Sequence, residues 1–217
     1  MRFANYLIKI FMLMSWMPWA FAQPAEIDHA KMLLAYVNSP GYKSYLERVF
    51  NLGEPPLLKA KCATPLKLLE SNRLMVVEPP KFMLSNGIYV VNSGSWVGIA
   101  VMDRCGSRVV RRALLRAQPN ANLLHPTFLL PGDFRGDLRL EVDARRIVLS
   151  GVVMVSNCSD NTRIQVEDIK FHGPPTSQGW SETWTIEACG RTVDADVKYT
   201  TTAGTGTTVS AGNWKFR

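Results

Sequence analysis

One pattern occurs twice in this chain: a tryptophan, eight residues, Cys-Gly, two residues and a valine. The two copies start 84 positions apart, at Trp96 and Trp180. Their Cys-Gly pairs are Cys105-Gly106 and Cys189-Gly190. Another cysteine precedes each copy, and a Pro-Pro pair separates that cysteine from the tryptophan. This shared order predicts that the protein is an internal duplication.

The chain contains four cysteines, and the duplication divides them evenly: Cys62 and Cys105 in one half, Cys158 and Cys189 in the other. An even number of cysteines in an exported chain favours disulfides. Three connectivities are possible, and a duplication favours the one in which each half has its own link. We therefore predict Cys62–Cys105 and Cys158–Cys189. The sequence has no Cys-x-x-Cys pair, which argues against a thioredoxin-like redox centre.

The first 22 residues resemble a secretory signal peptide. Arg2 and Lys9 precede an apolar stretch, and Ala20-Phe21-Ala22 supplies small residues for cleavage. The apolar stretch is shorter than the roughly 20 residues that cross a bilayer. We predict cleavage after Ala22, no transmembrane segment afterwards, and a periplasmic or secreted protein.

Turn residues and apolar spacing divide the rest of the chain. Residues 23–53 predict a helical pair broken at Ser39-Pro40, and residues 54–119 contain the first repeat. Residues 120–136 are rich in proline and predict a connection, and residues 137–217 contain the second repeat. Residues 138–155 fit a strand or a helix, and the duplication favours a helix capped by Asp137.

Each Trp…Cys-Gly segment predicts a β-hairpin. A two-residue turn at Cys-Gly pairs Trp180 with Tyr199 and Trp96 with Leu115, which places the apolar sets on one face. The Pro79-Pro80 pair predicts a stop between shorter strands. The expected fold is therefore α+β. It has two homologous disulfide-linked repeats after the helical pair, each a helix on a small antiparallel sheet that ends in the hairpin.

The two copies differ on their other face. Val97, Ile99 and Val101 occupy positions that are Ser or Thr in the second copy. We expect a helix or the other repeat to cover them, whereas exposure would mark them as a binding surface.

The first copy also carries a row of arginines, at Arg108, Arg112 and Arg116, with Arg104 just before the turn. Three interpretations remain open for this row: a solvated strand that protects a sheet edge, an anion-binding strip, or pairing with the acidic strip of another repeat. Residues 23–132 contain 13 basic and 7 acidic residues, against 10 and 11 in residues 133–217. The excess positive charge therefore lies in the first half.

Motifs of known enzyme classes are missing from the sequence. It lacks a Gly-x-Ser-x-Gly elbow, a phosphate-binding glycine loop and metal-ligand spacing between its histidines. Asp194 and Asp196 are the best carboxylate pair for a hydrolase. The arginine row lacks interleaved aromatic residues, which argues against nucleic acid as a partner.

We therefore predict an exported, non-catalytic binding or assembly protein of a bacterial cell envelope or secretome. Its partner is a protein or an anionic glycan or lipid surface, bound through the first repeat, and it needs no cofactor or metal. The alternatives are a secreted hydrolase with a dispersed carboxylate site and a structural envelope component.

Overall fold

A computed structural model describes residues 27–119, 123–204 and 206–217, without the side chain of residue 72. The predicted signal peptide lies outside these residues. Within them the fold is α+β, with four α-helices, two antiparallel sheets and two disulfides.

The helices are α1 (His29–Asn38), α2 (Pro40–Gly53), α3 (Pro56–Lys61) and α4 (Leu138–Ser156). The side chain of Ser39 accepts a hydrogen bond from the Tyr42 backbone N–H at the start of α2. The side chain of Asp137 caps α4 in the same way, by accepting from the Leu140 backbone N–H. These caps satisfy backbone donors of the first helical turn, which is why the helices begin there.

The first sheet contains β1 (Lys67–Ser85), β2 (Ile88–Arg104), β3 (Ser107–Gln118) and β4 (Leu123–Phe128). The second contains β5 (Ile164–Thr176), β6 (Gly179–Ala188), β7 (Arg191–Thr202) and β8 (Gly206–Phe216). In both sheets neighbouring strands follow each other along the chain. A short 3-10 helix, Asn161–Arg163, precedes β5.

Both disulfides join a cysteine that follows a helix to a cysteine in a hairpin turn. The bonds are Cys62–Cys105 and Cys158–Cys189, the two links that the sequence predicts. Cys105 and Cys189 have φ angles of 49° and 51°, and glycines with positive φ follow both. Two consecutive positive φ angles are what a two-residue hairpin turn requires.

Each sheet has its own hydrophobic core. Trp96 and Leu115 are fully buried on one face of the first sheet, in the cluster that includes Leu46 of α2. Trp184 and Tyr199 are buried with Val148 of α4 against the second sheet. Trp180 pairs with Tyr199 across β6 and β7, and their rings stack 4.5 Å apart.

One expectation from the proline pattern is wrong. Pro79-Pro80 does not stop a strand but lies inside β1, at register shifts between Val76 and Lys81. The predicted connection 120–136 contains a strand, β4, which includes Pro126. Both β1 and β4 lie at a sheet edge, where a proline without an N–H costs no ladder hydrogen bond.

Candidate functional site

A cavity of about 220 Å³ lies where the two halves of the chain meet. β4 ends at Phe128, so the edge of β3 before residue 113 loses its strand neighbour. The chain then follows β3 more loosely: the Leu129 N–H donates to Arg112 O at 3.1 Å, and the Gly132 N–H donates to Val110 O at 3.0 Å. The cavity occupies the gap between this edge, the end of α2 and the start of β5.

Apolar side chains from both halves form most of the cavity wall. They come from α2, α3, the chain around the end of β4 and the start of β5, namely Phe50, Leu58, Phe128, Leu129, Leu130 and Val166. Arg111, Arg112, Arg145 and Glu54 add charge to this lining. A mainly apolar pocket with a few polar groups is typical of a small-ligand site.

Arg111 and Arg112 are both buried cations in the lining of this cavity, and 7% of the surface of Arg111 is exposed. Its Nη1 donates to the Val110 carbonyl at 3.2 Å. Its Nε and Nη2 have no hydrogen-bond partner among the residues that the structure describes. Nη2 lies 3.5 Å from Glu54 Oε1, which is an ion-pair distance with poor hydrogen-bond geometry. Burial lowers the pKa of Arg111, and the Glu54 carboxylate opposes that shift.

The carboxylates around Arg111 are shared or already paired. Glu54 lies 3.4 Å from Arg104 Nε and 3.5 Å from Arg111 Nη2, so one carboxylate serves two guanidinium groups. Arg112 has its own partner, Glu141, at 3.0 Å. Within ion-pair distance the three arginines therefore share two carboxylates. One positive charge is left over in a buried setting.

Asp168 is a further carboxyl group of this region. It interacts electrostatically with Arg111. Burial raises the pKa of Asp168, and the Ile169 N–H and nearby cations oppose that shift. The described ion pairs of Arg111 do not include Asp168. It therefore does not hold the free Nε and Nη2 donors.

The predicted arginine strip is not a continuous exposed surface. Arg108 is exposed and pairs with Glu70, and Arg116 is exposed. The side chains of Arg104 and Arg112 are instead only 12% and 3% exposed, because Glu54 and Glu141 hold them inside. Arg108, Arg112 and Arg116 do project from one face of β3, as their spacing predicts. At Arg112, however, that face is covered by the second half of the chain.

The apolar trio of β2 is also turned inward. Val97 is fully buried, and Ile99 and Val101 are half-buried. Ile99 pairs with Arg112, and paired residues project from the same face. Since Arg112 reaches Glu141 of α4, this face looks toward the second half.

The sequence analysis missed several buried charged residues, among them Arg111 and Glu182, which lie on strands. Both occupy core-facing positions of an alternating strand: Arg111 follows Val109 and precedes Ala113, and Glu182 lies between Trp180 and Trp184. A charged residue at a core-facing position is a detectable signal. It is more informative than a row of charges on the outer face.

Glu182 is fully buried and accepts four hydrogen bonds. Trp184 Nε1 and Tyr199 OH donate to its Oε2 at 2.9 and 3.0 Å. Trp180 Nε1 and the Arg135 N–H donate to its Oε1 at 3.2 and 3.4 Å. Burial raises the pKa of Glu182, and the hydrogen bonds oppose that shift. Each of its carboxylate oxygens already accepts two hydrogen bonds within the core, so we assign Glu182 a structural role.

Asp194 and Asp196, the carboxylates considered for a hydrolase, are each held by neighbouring side chains. Asp194 accepts from Thr185 Oγ1 at 2.9 Å and from Arg217. Asp196 accepts from Asn213 Nδ2 at 3.1 Å and weakly from Thr183 Oγ1 at 3.4 Å. Neither residue lines the cavity described above.

Metal-binding clusters and membrane-spanning helices are both absent from the described part of the chain. It contains no group of three or more His, Cys, Asp or Glu residues placed to bind a metal ion. Its helices are too short or too polar for any of them to cross a membrane.

Comparison with known proteins gave no matching family model, no matching curated protein and no matching solved structure.

Proposed function

We propose that this chain is an exported, non-catalytic binding or assembly protein of a bacterial cell envelope or secretome. Its ligand carries an anionic group that binds Arg111 in the cavity between the two halves. The observation that carries the proposal is the buried guanidinium of Arg111, with two unused donors and a shared counter-charge. A buried cation costs folding free energy unless it is paired, so ligand binding is the physical reason for its place.

The free donors of Arg111 favour a planar anion. Nε and Nη2 lie on one edge of the guanidinium group and can donate two parallel hydrogen bonds to a carboxylate. Protein atoms cover both nitrogens here, so the Arg111 side chain must turn toward the cavity when the ligand binds. A single negative charge balances the one positive charge left over by Glu54 and Glu141. A carboxylate therefore fits this site in both charge and shape.

The size and lining of the cavity favour a short apolar group beside that carboxylate. Its volume of about 220 Å³ is below the roughly 300–1,000 Å³ of pockets for drug-sized ligands. Phe50, Leu58 and Val166 offer contacts to a few carbon atoms. A short aliphatic acid and the apolar C-terminus of a protein partner share this chemistry.

Calorimetric titration with hexanoate tests the proposal. We expect saturable binding of one hexanoate per chain, and binding at least about tenfold weaker for Arg111→Met, which removes a charge-assisted pair. Arg116→Met is the matched control, since it removes an exposed arginine from the same strand and leaves binding unchanged. Hexanol, which lacks the carboxylate, binds the wild type weakly. Absent hexanoate binding, or equal binding by Arg111→Met, would overturn the proposal.

We also propose that the two halves are homologous repeats and that the chain acts in an oxidising compartment. The equal strand order of the two sheets supports duplication, as do the matching positions of the disulfides between a helix end and a Cys-Gly turn. Disulfides of this kind persist in the periplasm and outside the cell. The signal-like leader supports the same compartment.

A further inference from the structure

The hairpin of β1 and β2 extends beyond the rest of the first sheet. β3 pairs with β2 only from Ser95 to Arg104, whereas β1 and β2 remain paired as far as Ser85 and Ile88. The last part of this ribbon that the helices cover is the pair Phe82 and Val91. Both are buried, and the Phe82 N–H donates to His29 Nδ1 of α1 at 3.1 Å. Residues 83–90 continue past this contact, and we call them the free tip.

The free tip exposes large apolar side chains on both of its faces. Leu84 pairs with Tyr89, and these two residues are 58% and 46% exposed. Met83 and Ile88 project from the opposite face and are 37% and 62% exposed. Residues alternate between faces along a strand, so this arrangement requires apolar residues at consecutive positions. A solvated ribbon has no physical reason to carry them.

The tip is a preformed structure. Asn86 and Gly87 have φ angles of 51° and 79°, as a two-residue hairpin turn requires. Residues 83–85 and 88–90 are strand residues on either side of that turn. The apolar side chains are therefore presented at the end of a fixed ribbon.

Charge around the tip favours an anionic environment. From residue 79 to residue 102 the only charged side chain is Lys81, so this stretch of the ribbon contains no carboxylate. Lys81 is exposed and lies two residues before the free tip. An apolar end with an exposed lysine directly behind it and no neighbouring carboxylate on the ribbon suits the interface of an anionic membrane.

We propose that the free tip inserts into the interface of an anionic lipid membrane. A protein partner, or a second copy of this chain, would pack on one face and leave the other exposed, whereas the acyl boundary surrounds both faces. Interfacial elements reach roughly 5–10 Å into that boundary, a depth that two or three strand residues span at about 3.3 Å each. Met83, Leu84, Ile88 and Tyr89 lie within that distance of the turn. The proposal does not depend on the cavity at Arg111.

Vesicle flotation tests the insertion. The purified protein should float with vesicles of phosphatidylethanolamine and phosphatidylglycerol, and more weakly with phosphatidylcholine alone. Leu84→Asn and Ile88→Asn change opposite faces, and each should weaken the partition by about tenfold. The matched controls are Leu52→Asn and Met154→Asn, because these apolar side chains are 75% and 78% exposed elsewhere. They should float like the wild type, and so should Arg111→Met.

Three results would overturn the proposal. The first is a wild type that does not float with anionic vesicles. The second is a loss confined to one of the two tip variants, which indicates a partner that covers a single face. The third is a wild-type dimer that becomes a monomer in both tip variants without any vesicle binding, which assigns the tip to contact between copies. Equal melting temperatures of the tip and control variants establish that all of them are folded.

Discussion

Glu182 and Arg111 are both buried charged residues, but their polar atoms are satisfied to different degrees. Each carboxylate oxygen of Glu182 accepts two hydrogen bonds, and the donors belong to the core of the second sheet. Arg111 keeps two donors without a partner among the described residues. A buried polar group with all its partners stabilises one arrangement of a core, and a buried group without them costs free energy. This difference separates a structural residue from a candidate binding residue.

Replacing Glu182 with glutamine should destabilise the fold. The amide NH₂ would face N–H donors where a carboxylate oxygen now accepts, so at least one buried donor loses its partner. We expect a loss of about 1–3 kcal/mol in the free energy of unfolding, measured by urea denaturation. Glu70→Gln is the control, since it changes an exposed ion pair and should alter stability by less than about 1 kcal/mol.

The same variant should change the dependence of stability on pH. Burial raises the pKa of Glu182 above its ordinary value of 4.5, so the folded protein binds this proton more tightly than the unfolded chain. That contribution to stability is complete below pH 4.5 and is lost as pH rises through the folded-state pKa. The stability gap between the wild type and Glu182→Gln should therefore narrow as pH rises. A gap that stays constant from about pH 4 to pH 8 would contradict this account.

Local signals in the sequence predict α1, α2 and α4, whereas the short helix α3 was missed. Ser39 and Asp137 begin α2 and α4 because a capping side chain acts on the backbone beside it. The Cys-Gly turns are similarly local, because positive φ at two consecutive residues depends on the turn itself. These features need no knowledge of distant contacts.

The sequence analysis predicted the extent of β1 wrongly and missed β4, because the tolerance of a strand for proline depends on its position within the sheet. Pro79-Pro80 and Pro126 would interrupt a central strand, but β1 and β4 lie at edges, and edge position is a property of the assembled sheet. The length of β1 and β2 was missed for the same reason. Sequence patterns report the period of a strand, and its neighbours decide where it ends.

The candidate site was only partly predictable. The excess of positive charge in the first half was visible. Arg104 and Arg112 do lie near the cavity. Their burial was not predictable from the alternation of faces along β3, because their partners are distant in sequence: Glu54 follows α2 and Glu141 lies in α4. Arg111 could have been found as a charged residue at a core-facing position between Val109 and Ala113.

Ion pairs connect the two halves of the molecule. Lys61 pairs with Glu167 and Glu187, and Arg112 pairs with Glu141. Lys61 is 42% exposed, so solvent screens its pairs. Arg112 and Glu141 are almost fully buried, and Glu141 also accepts from the Leu130 N–H at 2.6 Å. The buried pair of Arg112 and Glu141 therefore contributes more than the Lys61 pairs to the packing of the two halves against each other.

Breaking this buried pair should weaken the whole fold. Glu141→Gln leaves the Arg112 charge buried without a counter-charge, and we expect a loss of about 3–5 kcal/mol in the free energy of unfolding. The double variant Arg112→Met with Glu141→Leu replaces the pair by apolar side chains and should recover part of that loss, because the Leu130 N–H still loses its acceptor. Urea denaturation of both variants measures the difference. Glu141→Gln within about 1 kcal/mol of the wild type would show that the pair does not join the halves.

In the proposed function, Arg111 is kept for a ligand and not for the fold. Arg111 shares the carboxylate of Glu54 with Arg104, whereas its neighbour Arg112 has Glu141 to itself. Measuring the free energy of unfolding of Arg111→Met and Arg112→Met tests this difference. Without ligand, Arg111→Met should be at least as stable as the wild type, because an incompletely paired buried cation is removed, whereas Arg112→Met should lose about 3–5 kcal/mol. Hexanoate should stabilise the wild type and leave Arg111→Met unchanged. A loss of about 3 kcal/mol or more in Arg111→Met would contradict the claim and make Arg111 a structural ion-pair residue.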